Sequence, residues 1–564
     1  MQIGGFIQAL TQGREAWNRH GATLRAVSAF AHWLIRVALG PICLLALAGC
    51  GSAGSEVSCE DDSRCLRYAF SADIPVLDPH VSELPEAGMV FRQIYDTLIY
   101  RDTDSRAFLP GLATDWEISP DGLDYSFSLR PDVTFHDGSE FTAESVAFNI
   151  ERIFRPDSER SLARELLGPL HQVDVLDKYK IRLRLFEPHA ALLDSLAQPF
   201  LGIASPEALK SHDGLRYQYH QSGTGPFALV DYLPGERIKL RRFDGYAVDP
   251  AIYAPLSGDE IEAVEFSVMR DGEADLLSML GSTQDVVDDV SPVAAHNLAG
   301  NSRVRLLPTA IPGLAAQWLF NTKRAPLNRR DVRLALLLAS NRIAISDQVY
   351  LNAAPVAWSP LSESTGYAHT GFRNSFEFDL AEAQALLSAA GYADSDEDGI
   401  LDLAGDRLEL TMLAPPWGRL AEVGAFLREQ WRRLGIELVV EPVPGRMQLN
   451  SQIRAGEYDL LPVSIHGIDP GMLSRVFLDN SLYAASRSPH PALNDLLIQA
   501  GQEIDPARRR AQYYDIQTLL MNAALILPIS ETVRLRAASA NIVDLRYDAF
   551  GFYPLLVNVK ILAN

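Results

Sequence analysis

An acidic run in the second half of the chain has the residue types and spacing of a calcium-binding loop. It consists of alternating aspartates, then a glycine and one more aspartate: Asp394, Asp396, Asp398, Gly399 and Asp402. Such residues supply oxygen ligands from positions one, three, five and nine of a calcium loop, with glycine at position six. Position twelve should be a bidentate Glu and is Gly405. A solvent-exposed acidic turn therefore explains the run better than a calcium site, and any calcium binding is expected to be weak.

The first fifty residues have the order of a lipoprotein export signal. Arg36 precedes an apolar run that ends in Leu47-Ala48-Gly49-Cys50, a small-residue cleavage site followed by cysteine. The run is shorter than the about 20 apolar residues that a transmembrane helix needs. We therefore predict a lipoprotein signal peptide over residues 1–49, lipidation of Cys50, and a lipidated tether over residues 50–65 that anchors the mature protein. A buried core helix with an incidental cysteine is the alternative.

Two further cysteines, Cys59 and Cys65, have five residues between them. In an exported protein this pair is expected to form a local disulfide. A metal pair is the weaker alternative because no histidine lies nearby to complete a site. A redox-active pair would have the spacing Cys-x-x-Cys, which this pair lacks.

The chain shows no sequence motif for catalysis. It contains neither Gly-x-Ser-x-Gly nor His-Glu-x-x-His, and it has no phosphate-binding glycine loop with lysine. A net charge of −22 counts against a nucleic-acid partner or an anionic lipid surface. With 564 residues, 47% of them hydrophobic, the chain can build several domains with a large core. A binding protein without a cofactor is thus predicted, and a hydrolase is the weaker alternative.

The elements that position these residues follow an α/β pattern. Ser119-Pro120-Asp121-Gly122 predicts a turn, because proline presets φ and glycine accepts a positive φ. Alternating Tyr125, Phe127 and Leu129 predict a half-buried strand, and Thr142 predicts the start of an amphipathic helix. Elsewhere the pattern predicts several more elements: helices over Met89–Leu98, Leu420–Leu434 and Arg508–Leu520, and strands over Ile436–Val440, Leu525–Ile529 and Leu555–Ile561.

Several motifs in this order and spacing resemble one family. They are Leu-Pro-x-Leu-Ala-x-x-Trp from Leu109, the Ser-Pro-Asp-Gly turn, Phe-His-Asp-Gly from Phe135, Gly-Thr-Gly-Pro-Phe from Gly223, and Trp-Leu-Phe-Asn-Thr from Trp318. Together they resemble the extracellular solute-binding proteins of family 5, which serve peptide- and nickel-type ABC importers. The motif from Leu109 onward identifies the scaffold and is not itself a ligand site.

The resemblance covers roughly residues 66 to 560 and implies a two-lobed, periplasmic-binding-protein-like α/β fold of the class II type with an extra inserted lobe. It implies one lobe from residues 66–95, 205–308 and 531–564, an inserted lobe over 96–204, and a second large lobe over 309–530.

The resemblance also implies a function. A monomer at the cell envelope, facing the periplasm or the cell exterior, would capture a peptide or other small solute by hinge closure. It would deliver that solute to an ABC permease and ATPase. A binder of the same fold that acts in sensing or scavenging without transport is the alternative.

The resemblance further implies candidate ligand contacts. It places Thr224, Gly225 and Phe227 at a lobe junction lining the cleft, although a tight strand entry without a ligand role explains them equally. Asn321 belongs to the Trp-Leu-Phe-Asn-Thr motif that begins at Trp318, and Trp417 could stack on a ligand or simply pack.

The family's peptide binders typically hold a free α-amine with an Asp three residues before an Asp-Pro pair. Here that position is His466, before Asp469-Pro470. His466 facing the cleft would disfavour free amino termini and favour an uncharged or anionic ligand, a modified peptide or a metal chelate. A shifted alignment would make Asp469 the anchor, and a loop histidine outside the cleft is a third possibility.

Overall fold

The computed structural model describes residues 59, 64–155, 161–212, 214–269, 276–486 and 488–563. The predicted signal peptide at 1–49, the lipidation site Cys50 and most of the tether lie outside these residues. Within the described ranges, none of the helices has the length and apolarity to cross a membrane. Helices and strands alternate along the chain, so the predicted α/β class is confirmed.

The largest sheet has seven strands that come from both ends and the middle of the chain. Its central strand, Cys65–Phe70, pairs in parallel with Ala263–Val268, and the outer pairs are antiparallel. Buried aromatic side chains pack on it, with the rings of Phe70 and Phe266 stacked 5.0 Å apart. The order across the sheet is Val304–Leu306, Ala537–Ser539, Val286–Val287, Cys65–Phe70, Ala263–Val268, Arg237–Arg242 and Phe227–Leu233.

A four-stranded antiparallel sheet is built from the stretch around the Ser-Pro-Asp-Gly turn. The Gly122 amide donates to Ser119 O over 2.8 Å, and Gly122 has φ +71°, as the turn requires. On the next strand Tyr125, Phe127 and Leu129 are buried, which confirms the predicted alternation. The order is Ala113–Ile118, Asp124–Leu129, Lys180–Leu185 and Leu170–Asp177, and the helix after Thr142 spans Ala143–Ile153.

A five-stranded mixed sheet forms the third layer. Its strand Glu409–Ala414 lies parallel to both of its neighbours, and the remaining pairs are antiparallel. The order is Glu437–Pro442, Glu409–Ala414, Leu460–Val463, Ala316–Phe320 and Ile526–Ser530. Its longer helices are Arg330–Leu338, Leu380–Ala389, Leu420–Arg432, Arg446–Ala455, Pro491–Gln502 and Pro506–Asn522.

The chain passes between the seven- and five-stranded sheets on two adjacent segments, which pair as Thr309–Ala310 with Val533–Arg534. One hydrophobic core serves the seven- and four-stranded sheets together, and a separate core lies within residues 314–529. We name the parts built on the seven-, four- and five-stranded sheets the first lobe, the inserted lobe and the second lobe. The exact lobe boundaries given above stay a prediction.

Shorter elements complete the described chain. The helices are Pro85–Ile94, Leu162–Leu167, Leu192–Leu196, Pro206–Ser211, Leu276–Met279, Pro292–Leu298, Arg342–Gln348 and Met472–Phe477. The 3₁₀ turns are Pro199–Leu201, Gly214–Tyr219, Glu363–Thr365, Thr370–Phe372 and Leu482–Ser486. The small antiparallel pairs are Ile99–Arg101 with Phe108–Pro110, Asp402–Leu403 with Asp406–Arg407, Ile542–Val543 with Lys560–Ile561, and Arg546–Tyr547 with Pro554–Leu555.

Two predicted elements are corrected. The predicted helix over Met89–Leu98 ends at Ile94, after which Tyr95 is extended. The single closing strand predicted over Leu555–Ile561 is two short strands, Pro554–Leu555 and Lys560–Ile561, with different partners.

Candidate functional site

The loop that follows the strand Leu460–Val463 is fixed to the segment joining the lobes. The Leu314 amide donates to Ile465 O over 2.7 Å, and the Gly467 amide donates to Pro312 O over 2.9 Å. Gly313 makes this approach feasible, because a Cβ at that position would lie 2.2 Å from Ile465 O. The loop carrying His466 is therefore positioned by the backbone at the lobe junction.

His466 projects from the second lobe toward the first. Its ring centroid lies 4.9 Å from that of Phe552, a buried residue of the first lobe. His466 is exposed to solvent, and the protein atoms packed around the imidazole still reduce its hydration. Burial, followed by the charges of Arg534 and Arg446, lowers the pKa of His466 to about 4. His466 is consequently a neutral group in the cleft at physiological pH.

Two arginines lie near His466, and they differ in whether a carboxylate neutralises their charge. Arg534 is neutralised, since it forms an ion pair with Asp288 and lies 3.3 Å from Glu86 Oε1. Arg446 lies over the Trp417 ring, 5.7 Å from its centroid. Among the ion pairs within 4.0 Å in the described part of the chain, none includes Arg446. Arg446 is thus a cation beside His466 that has no ion-pair partner among the described residues.

Trp417 is the second sequence candidate that the structure leaves accessible, with 40% of its surface exposed. It lies in the loop before the helix Leu420–Arg432, at the end of the strand Glu409–Ala414. The indole ring of Trp417 is flat and lies against Arg446, and it can stack on a planar group of a ligand. His466, Trp417 and Arg446 therefore form one accessible group, which we name the cleft triad.

The Gly-Thr-Gly-Pro-Phe candidates are buried instead of accessible. Thr224 and Phe227 expose 1% and 0% of their surfaces. Thr224 Oγ1 donates to Asp96 Oδ2 over 2.9 Å, and a Cβ on Gly225 would lie 2.6 Å from Gln93 O. The geometry therefore favours the strand-entry interpretation of these three residues, in which they pack the motif against the end of the helix Pro85–Ile94.

Asn321 is likewise a structural residue in this arrangement. Its Nδ2 donates to Gly456 O over 3.1 Å and to Tyr458 O over 2.7 Å, and its side chain is 1% exposed. These bonds tie the strand Ala316–Phe320 to the turn after the helix Arg446–Ala455. Asn321 is therefore engaged within the second lobe, and its role as a ligand contact stays a prediction.

Asp469 has a partner inside its own lobe. Arg509 donates to its two carboxylate oxygens over 2.6 and 2.8 Å, a bidentate pair with little exposure. The guanidinium, acting against the cost of burial, holds the pKa of Asp469 below its usual range. Asp469 is thus an ionised group whose charge Arg509 already neutralises, which counts against it as the anchor of a ligand amine.

The acidic run has the geometry of an exposed turn. Ligand oxygens of Asp394, Asp396 and Asp398 lie within 4.8 Å of one another on the surface. Asp398 also forms an ion pair with Arg407, and Asp402 accepts from the amide of Ser395 over 2.9 Å. Asp394 and Asp396 accept from the amides of Gly399 and Asp398 over 3.1 and 3.3 Å, so all four candidate carboxylates already have partners, and whether the run takes up calcium stays a prediction. Near the N-terminus, Cys59 and Cys65 form a disulfide with Cα atoms 5.3 Å apart, as predicted.

Phe552 and Arg446 were missed by the sequence analysis. Phe552 lies 86 positions from His466, and no local pattern links the two positions. The aromatic run Phe550-Gly551-Phe552-Tyr553 was a usable signal, because aromatic residues concentrate in binding sites. Arg446 gave no signal beyond its position at the start of a helix.

Comparisons with known proteins agree with this architecture. The family described as "Bacterial extracellular solute-binding proteins, family 5 Middle" matches residues 107–481. A "Probable ABC transporter periplasmic-binding protein SapA" of Escherichia coli K12 is 26% identical over 520 residues, 86% of this chain and 90% of that protein. A "Glutathione-binding protein GsiB" of Salmonella paratyphi A is 28% identical over 334 residues, 58% of this chain and 61% of that protein.

Solved structures show the same fold. NikA from Brucella suis, in complex with Fe(III)-EDTA, has a TM-score of 0.79 at 21% identity and covers 88% of this chain and 100% of that one. A dipeptide binding protein from Pseudoalteromonas sp. SM9913, in complex with Met-Leu, has a TM-score of 0.72 at 22% identity with the same coverage.

Proposed function

Because this chain belongs to the bacterial extracellular solute-binding proteins of family 5, we propose that it is the ligand-binding component of an ABC importer. It captures a small solute between the first and second lobes and delivers it to a membrane permease and its ATPase. Family 5 consists of binding proteins, so no chemical step is assigned to the cleft. The relative named as a periplasmic protein of an ABC transporter supports the delivery role.

Capture proceeds by hinge closure around the paired segments Thr309–Ala310 and Val533–Arg534. Two adjacent strands resist twisting but bend together, so the lobes rotate about one axis. A solute that contacts both lobes binds the closed form more tightly and shifts the population toward it. The permease then distinguishes loaded from empty protein by the shape of the closed form.

The ligand carries an anionic group, and the observation that carries this proposal is the uncompensated Arg446 beside neutral His466. A ligand ammonium beside the cleft triad would meet the cation of Arg446 and a neutral imidazole, neither of which offers it an opposite charge. A carboxylate or phosphate would gain a charge-assisted hydrogen bond from Arg446. The ligands named for relatives, glutathione, Met-Leu and Fe(III)-EDTA, all contain carboxylates.

Calorimetry with wild type and three variants tests the ligand class. The panel is glutathione, Fe(III)-EDTA, and di- to pentapeptides that are free or N-acetylated. Arg446→Gln should weaken binding of an anionic ligand by about tenfold or more, the loss expected for a charged hydrogen bond of about 1.5–3 kcal/mol. Arg454→Gln is the matched control, because Arg454 is exposed at the other end of the same helix, Arg446–Ala455.

The decisive comparison concerns the amine. His466→Asp should gain affinity for peptides with free amino termini, because it restores a carboxylate beside the ligand. Acetylated peptides should not gain. Tight wild-type binding that requires a free amine would contradict the anionic-ligand proposal.

The protein acts as a lipid-anchored monomer of the cell envelope. The lipidated Cys50 would keep the binder near its permease and raise its effective concentration there. Replacing Cys50 with Ser should leave an unprocessed precursor that is released from the membrane fraction. Processing and membrane retention of that variant would exclude the lipoprotein interpretation of residues 1–50.

A further inference from the structure

The inserted lobe touches the second lobe through residues that the cleft triad does not include. The Ala190 amide donates to Gly501 O over 3.0 Å, and Gln502 Nε2 donates to Glu187 Oε2 over 2.9 Å. Glu165 and Arg475 form an ion pair across the same boundary. Three polar contacts of different kinds thus join two lobes that have separate hydrophobic cores.

Close packing accompanies these polar contacts. A Cβ on Gly122, in the turn of the inserted lobe, would lie only 3.0 Å from Ile504 Cγ2 of the second lobe. The absence of a side chain at Gly122 therefore lets Ile504 cover the turn.

Each of the two lobes has a largely buried ion pair close to the boundary at which the inserted lobe and the second lobe meet. Arg101 and Asp194 pair over 2.9 Å in the inserted lobe, and Arg509 and Asp469 pair over 2.6 Å in the second lobe. Burial and, in part, the facing charge of Asp469 raise the pKa of Asp194, so the two pairs are within electrostatic reach of each other.

Tyr483 connects this edge to the cleft triad. The tyrosine is largely buried, and its hydroxyl responds to the charges of Arg475 and Glu165 as well as to Arg446. Burial raises the pKa of Tyr483, which therefore stays neutral. Tyr483 is consequently a neighbour of two groups: the ion pair between Glu165 and Arg475 that joins the lobes, and Arg446, the cation proposed to receive the ligand.

We propose that the inserted lobe is a closure clamp, in which Glu165, Glu187 and Ala190 hold the second lobe through Arg475, Gly501 and Gln502. These are positioning residues: they touch no ligand but stabilise the form in which the ligand is enclosed. The clamp must open before the second lobe can move away, so it slows release of the solute. The inference rests on the proposed function, since closure around a solute is the event that the clamp stabilises.

The Ala190 amide reports clamp opening without any ligand. Its hydrogen bond crosses the boundary, so its hydrogen exchange requires separation of the two lobes. Glu165→Arg places like charges opposite Arg475 and should speed exchange at Ala190 by about two- to fivefold, the range of an exposed ion pair. Glu165→Arg combined with Arg475→Glu restores opposite charges and should return exchange to the wild-type rate.

Arg373→Glu is the matched control. Arg373 pairs with Glu363 inside the second lobe over 2.6 Å, and both side chains are about as exposed as Glu165 and Arg475. This variant should leave exchange at Ala190 unchanged. All four proteins should share one melting temperature, because the altered residues lie on the surface.

The exchange data decide the inference separately from the proposed function. Unchanged exchange at Ala190 in Glu165→Arg, or no rescue by the charge swap, would overturn the clamp. Failure of every solute to bind in calorimetry would count against the proposed function and would leave the exchange result standing. Acceleration in Glu165→Arg with rescue by the swap is the expected result.

Discussion

Thr224→Val tests whether the Gly-Thr-Gly-Pro-Phe motif holds the fold or the ligand. The substitution keeps the side-chain shape and removes only the hydroxyl that donates to Asp96 over 2.9 Å. Asp96 is buried, also accepts from Tyr100 over 2.6 Å and from Tyr246 over 3.2 Å, and its pKa is raised by burial to about 6. A lost bond to an ionised carboxylate costs about 1.5–3 kcal/mol, and one to a neutral group about 0.5–1.5 kcal/mol.

The cost should therefore depend on pH in a defined direction. Above pH 6 Asp96 is ionised and loses a charged hydrogen bond, whereas at pH 5 it is mostly protonated and loses a weaker one. Urea unfolding should show a decrease in the free energy of unfolding of about 1.5–3 kcal/mol at pH 8 and about half that at pH 5.

Thr224→Ser is the matched control, because it retains the hydroxyl. Any decrease in the free energy of unfolding of Thr224→Ser should be the same at pH 5 and pH 8. Ligand affinity should be unchanged in both variants. Unaltered stability with lost affinity would refute the structural assignment of Thr224.

Three further predictions follow from single side chains. Burial raises the pKa of Glu531, beside the hinge, to about 7 from 4.5; the folded protein then holds a proton that the unfolded chain releases. Titration of Glu531 should lower the free energy of unfolding by about 1–3 kcal/mol between pH 5 and 8, and Glu531→Gln should remove that contribution in urea unfolding while leaving the fall that the buried carboxyls of Asp96 and Asp548 add. NMR should titrate His466 near pH 4, and Arg446→Gln should raise that midpoint. Calcium at about 1 mM should leave the melting temperature unchanged; an increase abolished by Asp394→Asn would contradict the acidic-turn interpretation.

Local rules predicted local structure in this chain. The turn at Ser119–Gly122, the alternating strand Asp124–Leu129 and the helix after Thr142 follow from neighbours a few residues apart. The disulfide between Cys59 and Cys65 also joins near neighbours. The turn depends on the φ angles that its residues allow, the strand on the alternation of the pleat, and the helix start on its capping residue. The sequence specifies each of these within a single element.

The site depends on contacts that no local rule reveals. For Thr224 the structure favours the strand-entry alternative, because its hydroxyl reaches Asp96, 128 positions away. Asp469 is neutralised by Arg509, 40 positions later, a partner that counts against its role as an anchor. The predicted helix end at Leu98 failed because the chain must turn after Ile94, where Gly223 and Gly225 approach its carbonyl. Motif similarity located these residues correctly in the sequence but could not distinguish packing from binding.

Native mass spectrometry of the protein purified from its own host shows whether the cleft holds an anionic solute, because an enclosed ligand survives gentle purification. The account predicts one small anionic molecule per chain, lost on unfolding and regained when the refolded protein receives it again. It also predicts that the released molecule is chemically unchanged after incubation with the protein, and that Arg446→Gln retains less of it. A molecule that returns as a different product, or one held equally by Arg446→Gln and Arg454→Gln, would contradict the account.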